Sequence, residues 1–208
     1  MLRLMLLRHA KSDRPAGVED HERPLAARGR RASPRMGMYL AEQGLFPDLA
    51  IVSTALRAQE TWELARPALG KKIVQHDERR IYEAPADAIL DVISETDPGI
   101  QALLLVGHNP GLQELALKLI GTAKKSDLAS LRQKFPTAGL VVIDLDIEDW
   151  SQASTAPGHL ERFETPEIRR GNQLVIVTSG RLPKGSCRAR LVLPVSRRCV
   201  IRAVFRAG

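Results

Sequence analysis

Two arginines and two histidines stand where apolar runs of this sequence break off. In "LMLLRHAKSD" the run ends at Arg8-His9. The run "DLAIVS" ends at Ser53, with Arg57 four residues on. The run "ALLLVG" ends at Gly107, followed by His108 and Asn109. Guanidinium groups match phosphoryl oxygens with forked hydrogen bonds. A neutral imidazole is a competent nucleophile, and nearby positive charge keeps it neutral. A second imidazole can donate to the phosphoryl oxygens as charge shifts in the transition state. These four side chains therefore point to metal-free phosphoryl transfer, with no cofactor. The leaving group needs a proton, and Glu83 in "RRIYEAPAD" is the candidate acid. Taken singly, each residue has an ordinary alternative: Arg8 a surface charge, His9 a loop histidine, Arg57 an exposed helix residue, His108 a turn residue, Glu83 a solvated carboxylate. The case rests on their convergence.

Convergence requires elements that bring the run ends to one rim. Leu2–Leu7, Asp48–Ser53 and Ala102–Gly107 read as short buried strands, with "KKIVQH", Gly139–Asp146 and His159–Glu164 as further strands. Helical spacing of apolar residues appears over 55–69 and 85–96, and from Asn109-Pro110 to Ile120, where Gly121 stops it. Residues 13–32 read as a surface loop. Ser33-Pro34 reads as cap and first position of a helix that buries Met36, Tyr39 and Leu40 and ends at Gly44. Residues 121–137 read as another loop. Strand and helix alternate through residues 1–122, which predicts an α/β three-layer sandwich, a mostly parallel sheet with helices on both faces. In such sheets ligands bind beyond the carboxyl ends of the strands.

The chain has 208 residues, 44% of them hydrophobic, enough for one domain with a real core. No run is long and apolar enough to span a membrane. "MLRLMLLR" is too short and too charged for a signal peptide and reads as a strand. Two cysteines, Cys187 and Cys199, imply no disulfide framework, and a reducing cytoplasm is the expected location. The net charge of +7 is unevenly placed. From Arg169 onward there are ten Lys/Arg and no Asp/Glu, which leaves residues 1–168 at a net −3. Residues 169–208 are thus expected to be a basic extension, accessory or disordered, with one candidate strand at "NQLVIVTSG". Nucleic acid is not an expected partner unless through that tail, which lacks interleaved aromatics.

"LLRHAKS", "STALRAQET" and "VGHNPG" together resemble the arginine–histidine, second-arginine and second-histidine segments of the histidine phosphatase (phosphoglycerate mutase-like) superfamily. "ERPLAARG" resembles the D-x-x-R-P-L-x-x-x-G stretch of its SixA-like phosphohistidine phosphatases. The resemblance covers approximately residues 1–168. It implies that His9 is transiently phosphorylated and that Arg8, Arg57 and His108 form the phosphate pocket. Glu83 falls in the region of the family's acid, and Ser12 and Asn109 are candidate secondary pocket residues. Ala10 departs from the superfamily's usual glycine, as the SixA-like branch often does. The expected function is a phosphatase acting on a phosphohistidine or other phosphorylated protein, or on a small phosphoester. The alternatives are a phosphomutase and a non-catalytic phosphate-binding module. Only 24 residues separate Glu83 from His108, which leaves little room for the substrate walls of a mutase.

Overall fold

The structure, a computed structural model, describes residues 1–166; the basic extension and its candidate strand lie outside the described residues. Seven strands form one sheet: β1 (Leu2–Arg8), β2 (Leu49–Ser53), β3 (Val74–Glu78), β4 (Ala102–Gly107), β5 (Ile120–Thr122), β6 (Leu140–Leu145) and β7 (Gly158–Glu164). Their order is β3-β2-β4-β1-β6-β7-β5. Four of the six pairings are parallel, and only β6 runs against its neighbours. The mostly parallel α/β sandwich expected from the sequence is the fold observed.

Alternation along the central strands fills two cores. Leu4 and Leu6 of β1 join Leu49, Ile51, Leu103 and Leu105 beneath α3 (Ala86–Ser94) and α4 (Gly111–Leu119). Met5 and Leu7 join Ala50, Val52, Leu104 and Val106 beneath α1 (Ala27–Glu42) and α2 (Leu56–Ala65). The unbroken apolar runs are thus strands covered on both faces. The adjacent strands β2, β4 and β1 all run the same way, so their carboxyl ends share one rim. The register pairs Arg8 with Gly107 and Val52 with Val106.

Several boundaries differ from the sequence-based expectation. The first helix starts at Ala27, not at Ser33-Pro34, and Pro34 lies inside it. Ser33 is not a cap; its hydroxyl donates back to the Gly29 carbonyl at 3.0 Å. Helix α2 gives way at Arg66 to a 3-10 turn through Leu69. Strand β3 sits later than "KKIVQH". The expected loop 121–137 contains the end of β5 and a fifth helix, α5 (Lys125–Gln133), which fully buries only Leu131. No helix among the described residues is long and apolar enough to cross a membrane.

Candidate active site

Backbone contacts fix the tip of β1. The Arg8 amide donates to the Gly139 carbonyl and the His9 amide to the Gly107 carbonyl, both at 3.0 Å. The next amide, Ala10, donates to Thr61 Oγ1 at 3.0 Å, and that hydroxyl donates to the Arg57 carbonyl at 2.6 Å. Thr61 thereby ties the His9 loop to the helix that carries Arg57. Ala10 itself is wholly buried in the core beneath α1 and α2.

The His9 ring lies 5.0 Å from that of His108, centroid to centroid. His9 Nδ1 sits 2.7 Å from the Ala10 carbonyl oxygen, which can only accept. Nδ1 must therefore carry the proton, and Nε2 of the neutral ring keeps its lone pair. His108 Nε2 lies 2.8 Å from Ser53 Oγ, and Oγ also receives the Ala55 amide at 3.4 Å. That pattern suits a serine hydroxyl donating into Nε2, with the proton of His108 on Nδ1. His108 Nδ1, Arg8 Nε, Arg57 Nε and Asn109 Oδ1 are all buried without a hydrogen-bond partner in the protein. Buried polar atoms are normally satisfied, so a group of such atoms on one rim marks a place for a ligand.

Both terminal nitrogens of Arg57 are anchored on Asp20: Nη1 donates to its carbonyl at 2.6 Å and Nη2 to Oδ2 at 2.9 Å. Arg8 Nη1 donates to the Phe135 carbonyl at 2.6 Å. Arg57 is thus held at both terminal nitrogens and Arg8 at Nη1, while Nε of each is left over. Asp20 also accepts from Arg23 at 2.5 Å and from the Tyr82 hydroxyl at 2.8 Å. These donors, Arg23 foremost, hold its carboxyl well below the usual range. Tyr82 stands edge-on to His108 at 5.3 Å and beneath the Arg57 guanidinium at 5.6 Å.

The sequence model of the histidine phosphatase superfamily (branch 1) matches residues 4–81, the stretch that carries Arg8, His9, Asp20 and Arg57. The protein Rv1276c of Mycobacterium tuberculosis is 32% identical over 162 residues, 77% of this chain and 99% of its own. A SixA structure from Agrobacterium tumefaciens superposes with a TM-score of 0.68 at 29% identity, over 79% of this chain and 98% of that one. A second, from Nakamurella multipartitia, gives 0.66 at 25% identity, over 79% and 96%. The chain belongs to the histidine phosphatase superfamily. Its likeness is to the SixA-like branch.

The electrostatics of this histidine phosphatase keep both imidazoles neutral. Burial is the main cause for His9, with Arg57 and Arg8 adding to it, and the ring is pushed down to about 3. Burial and the neighbouring His9 push His108 down to about 2. Burial also lowers Arg8 from its ordinary value, yet a guanidinium stays charged.

The residues singled out from sequence come together to different degrees. Arg8, His9, Arg57 and His108 share the rim. Glu83 reaches it from the connection after β3, its Oε1 3.6 Å from Arg57 Nη2, with 58% of its side chain exposed. Its backbone is left-handed, φ 48°, which costs a non-glycine residue strain and aims it from a tight turn. Gly111 permits that turn, because a Cβ there would lie 2.0 Å from the Ala84 carbonyl oxygen. Asn109 donates to the Phe135 carbonyl that also holds Arg8. Ser12 sits farther back, accepting from Arg23 at 2.9 Å. Sequence reasoning missed Asp20, Tyr82 and Thr61. Asp20 and Arg23 were visible as the acidic and basic members of the D-x-x-R-P-L stretch. Nothing in the pattern marked Tyr82 or Thr61.

Among the described residues no cluster of His, Cys, Asp and Glu is arranged to hold a metal ion.

Proposed function

We propose that this histidine phosphatase removes phosphoryl groups from proteins, histidine-linked ones foremost, through a phosphorylated His9. The observation that carries the proposal is the His9 ring. Its Nδ1 proton is committed to the Ala10 carbonyl, its ring is held neutral, and its Nε2 lone pair stands among two arginines and a second imidazole.

Nε2 attacks phosphorus in line. The Nε2–P bond forms as the bond from phosphorus to the leaving atom breaks. Arg8 Nε, Arg57 Nε and His108 Nδ1 donate to the equatorial oxygens, where charge gathers. Glu83 gives its proton to a leaving alkoxide. In the second step the Glu83 carboxylate takes a proton from water, the water oxygen bonds to phosphorus, and the Nε2–P bond breaks. Inorganic phosphate and the original imidazole result. Ser12 and Asn109 support the pocket from behind, Asn109 with its unpartnered Oδ1. Only α3 and β4 lie between Glu83 and His108, with no inserted wall to retain and turn a phosphorylated sugar acid. That favours hydrolysis over a mutase. A SixA-like relative at 29% identity favours phosphohistidine among the possible substrates.

The test is a phosphatase screen with a phosphohistidine peptide, a phosphoserine peptide and p-nitrophenyl phosphate, with His9→Ala as control. Hydrolysis is expected for the wild type, with the phosphohistidine peptide preferred and all activity lost in His9→Ala. Near-normal turnover by His9→Ala would sink the reading.

A further inference from the structure

The buried polar atoms left without a partner around His9 are not all of one kind. Arg8 Nε, Arg57 Nε and, by its tautomer, His108 Nδ1 are donors. Asn109 Oδ1 is an amide oxygen and can only accept. Three donors suit the oxygens of a phosphoryl group. An acceptor beside them does not, because it repels an oxygen that carries no hydrogen.

The orientation of the Asn109 amide is forced by its surroundings. Gln113 Nε2 lies 2.9 Å from the Leu131 carbonyl and 3.4 Å from the Arg132 carbonyl. Carbonyls only accept, so the Gln113 nitrogen belongs there and its Oε1 is left to face Asn109. That Oε1 accepts from Asn109 Nδ2 at 3.0 Å, and the Phe135 carbonyl accepts from the same nitrogen at 3.2 Å. Both hydrogens of Nδ2 are spent. Turning the amide over would set its oxygen against two acceptors. The Phe135 side chain is wholly buried, edge-on to Phe163 at 5.9 Å, and its carbonyl also accepts from Arg8 Nη1 at 2.6 Å. One fixed carbonyl therefore anchors both Arg8 and Asn109, which puts Asn109 Oδ1 on the Arg8 side of the cluster.

A buried acceptor of this kind is satisfied by a ligand group that carries a hydrogen. A singly protonated phosphoryl group carries one, as does inorganic phosphate near neutral pH. Sulfate and sulfate esters carry none. The charge of the pocket suits the same form, since both imidazoles are neutral and Arg57 already shares its charge with Asp20. We propose that Asn109 Oδ1 accepts a hydrogen bond from the P–OH of the bound phosphoryl group and so makes the pocket select protonated phosphate over sulfate and sulfate esters. The proposal rests on the phosphatase reading above and deepens it, naming the protonation form of the group that the site binds. Asn109 is in this role a specificity-determining residue, distinct from the arginines that grip any tetrahedral oxyanion.

The experiment titrates full-length wild type and Asn109→Ala with inorganic phosphate and with sulfate by calorimetry. Mildly alkaline pH is used, where both anions carry two negative charges and only phosphate keeps a hydroxyl. Hydrolysis of p-nitrophenyl phosphate is followed on the same samples. The wild type should bind phosphate about tenfold more tightly than sulfate, or better, because leaving a buried acceptor unsatisfied is costly. Asn109→Ala should lose most of that difference by weakening phosphate far more than sulfate. A purely supporting Asn109 would act through the Phe135 carbonyl and Arg8, and its loss would weaken both anions alike, so the ratio separates the two roles. A wild type that binds both anions equally, or a variant that weakens both by the same factor, overturns the proposal. Where p-nitrophenyl phosphate is still hydrolysed by the wild type, that result leaves the phosphatase reading intact. The wild-type comparison decides the matter even if Asn109→Ala does not fold. A wild type that neither binds these anions nor hydrolyses p-nitrophenyl phosphate overturns the phosphatase reading, and the selection by Asn109 falls with it.

Discussion

Replacing Asp20 by alanine tests how Arg57, the arginine proposed to bind phosphate, is held. The carboxylate binds Arg57 Nη2 at 2.9 Å, Arg23 Nη1 at 2.5 Å and the Tyr82 hydroxyl at 2.8 Å. The Arg57 side chain is only 4% exposed and would lose the nearer of its two carboxylates, keeping Glu83 at 3.6 Å, while Asp20 is 44% exposed. Breaking a fully buried pair costs about 3–5 kcal/mol, and an exposed one about 0–1 kcal/mol. This half-exposed pair falls between, at about 2 kcal/mol. The Asp20 backbone carbonyl still holds Nη1 in the variant, so Arg57 is loosened rather than released. If that loss is felt in the transition state, kcat/KM falls about 30-fold. Asp20→Asn keeps an acceptor of the same shape and should recover much of it. The assay is steady-state hydrolysis of p-nitrophenyl phosphate with inorganic phosphate as competitive inhibitor. Asp20→Ala should lower kcat/KM and raise the inhibition constant for phosphate. Tighter phosphate inhibition in Asp20→Ala would refute the reasoning, because Asp20 would then be competing for Arg57 rather than presenting it.

His9 should remain neutral far below the ordinary histidine range. Its folded value is pushed down to about 3 while the unfolded side chain titrates near about 6.5. Between these values the unfolded chain binds a proton that the folded chain refuses. The contribution to stability is therefore complete above about 6.5 and is lost as pH falls toward 3. A His9 ring signal in NMR that stays flat from pH 8 to 5 is expected, and a midpoint near 6.5 would contradict it. Gly29→Ala places a Cβ 2.2 Å from the Lys11 carbonyl oxygen. It should cost about 1–3 kcal/mol, read as a lower urea midpoint, and should lower kcat/KM by shifting the loop that carries His9; an unchanged midpoint would show that the loop yields freely. Glu83→Gln should slow p-nitrophenyl or alkyl phosphate hydrolysis more than phosphohistidine hydrolysis, since a leaving imidazole needs less acid help. Equal penalties on an alkyl phosphate and a phosphohistidine peptide would remove Glu83 from the role of acid.

Much of the site was legible because it lies where strong local signals end. The buried strands β1, β2 and β4 are continuous apolar runs, so the polar residues after them, His9, Ser53 and His108, stand out. Their parallel alignment follows from strand–helix alternation. What was missed depends on contacts across the chain. Asp20 meets Arg57 and Tyr82 from far away in sequence, within a loop that carries no periodic pattern. Thr61 reads as an ordinary helix residue until the Ala10 amide is seen to reach it. The start of α1 was hidden by Gly29 and Pro34, two residues that usually break helices. Here Gly29 serves close approach to Lys11, and Pro34 lies within the helix directly after Ser33, whose hydroxyl donates to the Gly29 carbonyl. Helix α5 gave little signal because it fully buries only Leu131.

The central claim is that His9 Nε2 carries the phosphoryl group between the two halves of the reaction. Rapid acid-free quenching of wild-type protein during turnover of p-nitrophenyl phosphate, followed by peptide mass spectrometry, tests it most directly. One acid-labile phosphoryl adduct on the peptide containing His9, absent in His9→Ala, is the expected result. Full turnover with no adduct at His9, or an adduct at His108 instead, would contradict the account.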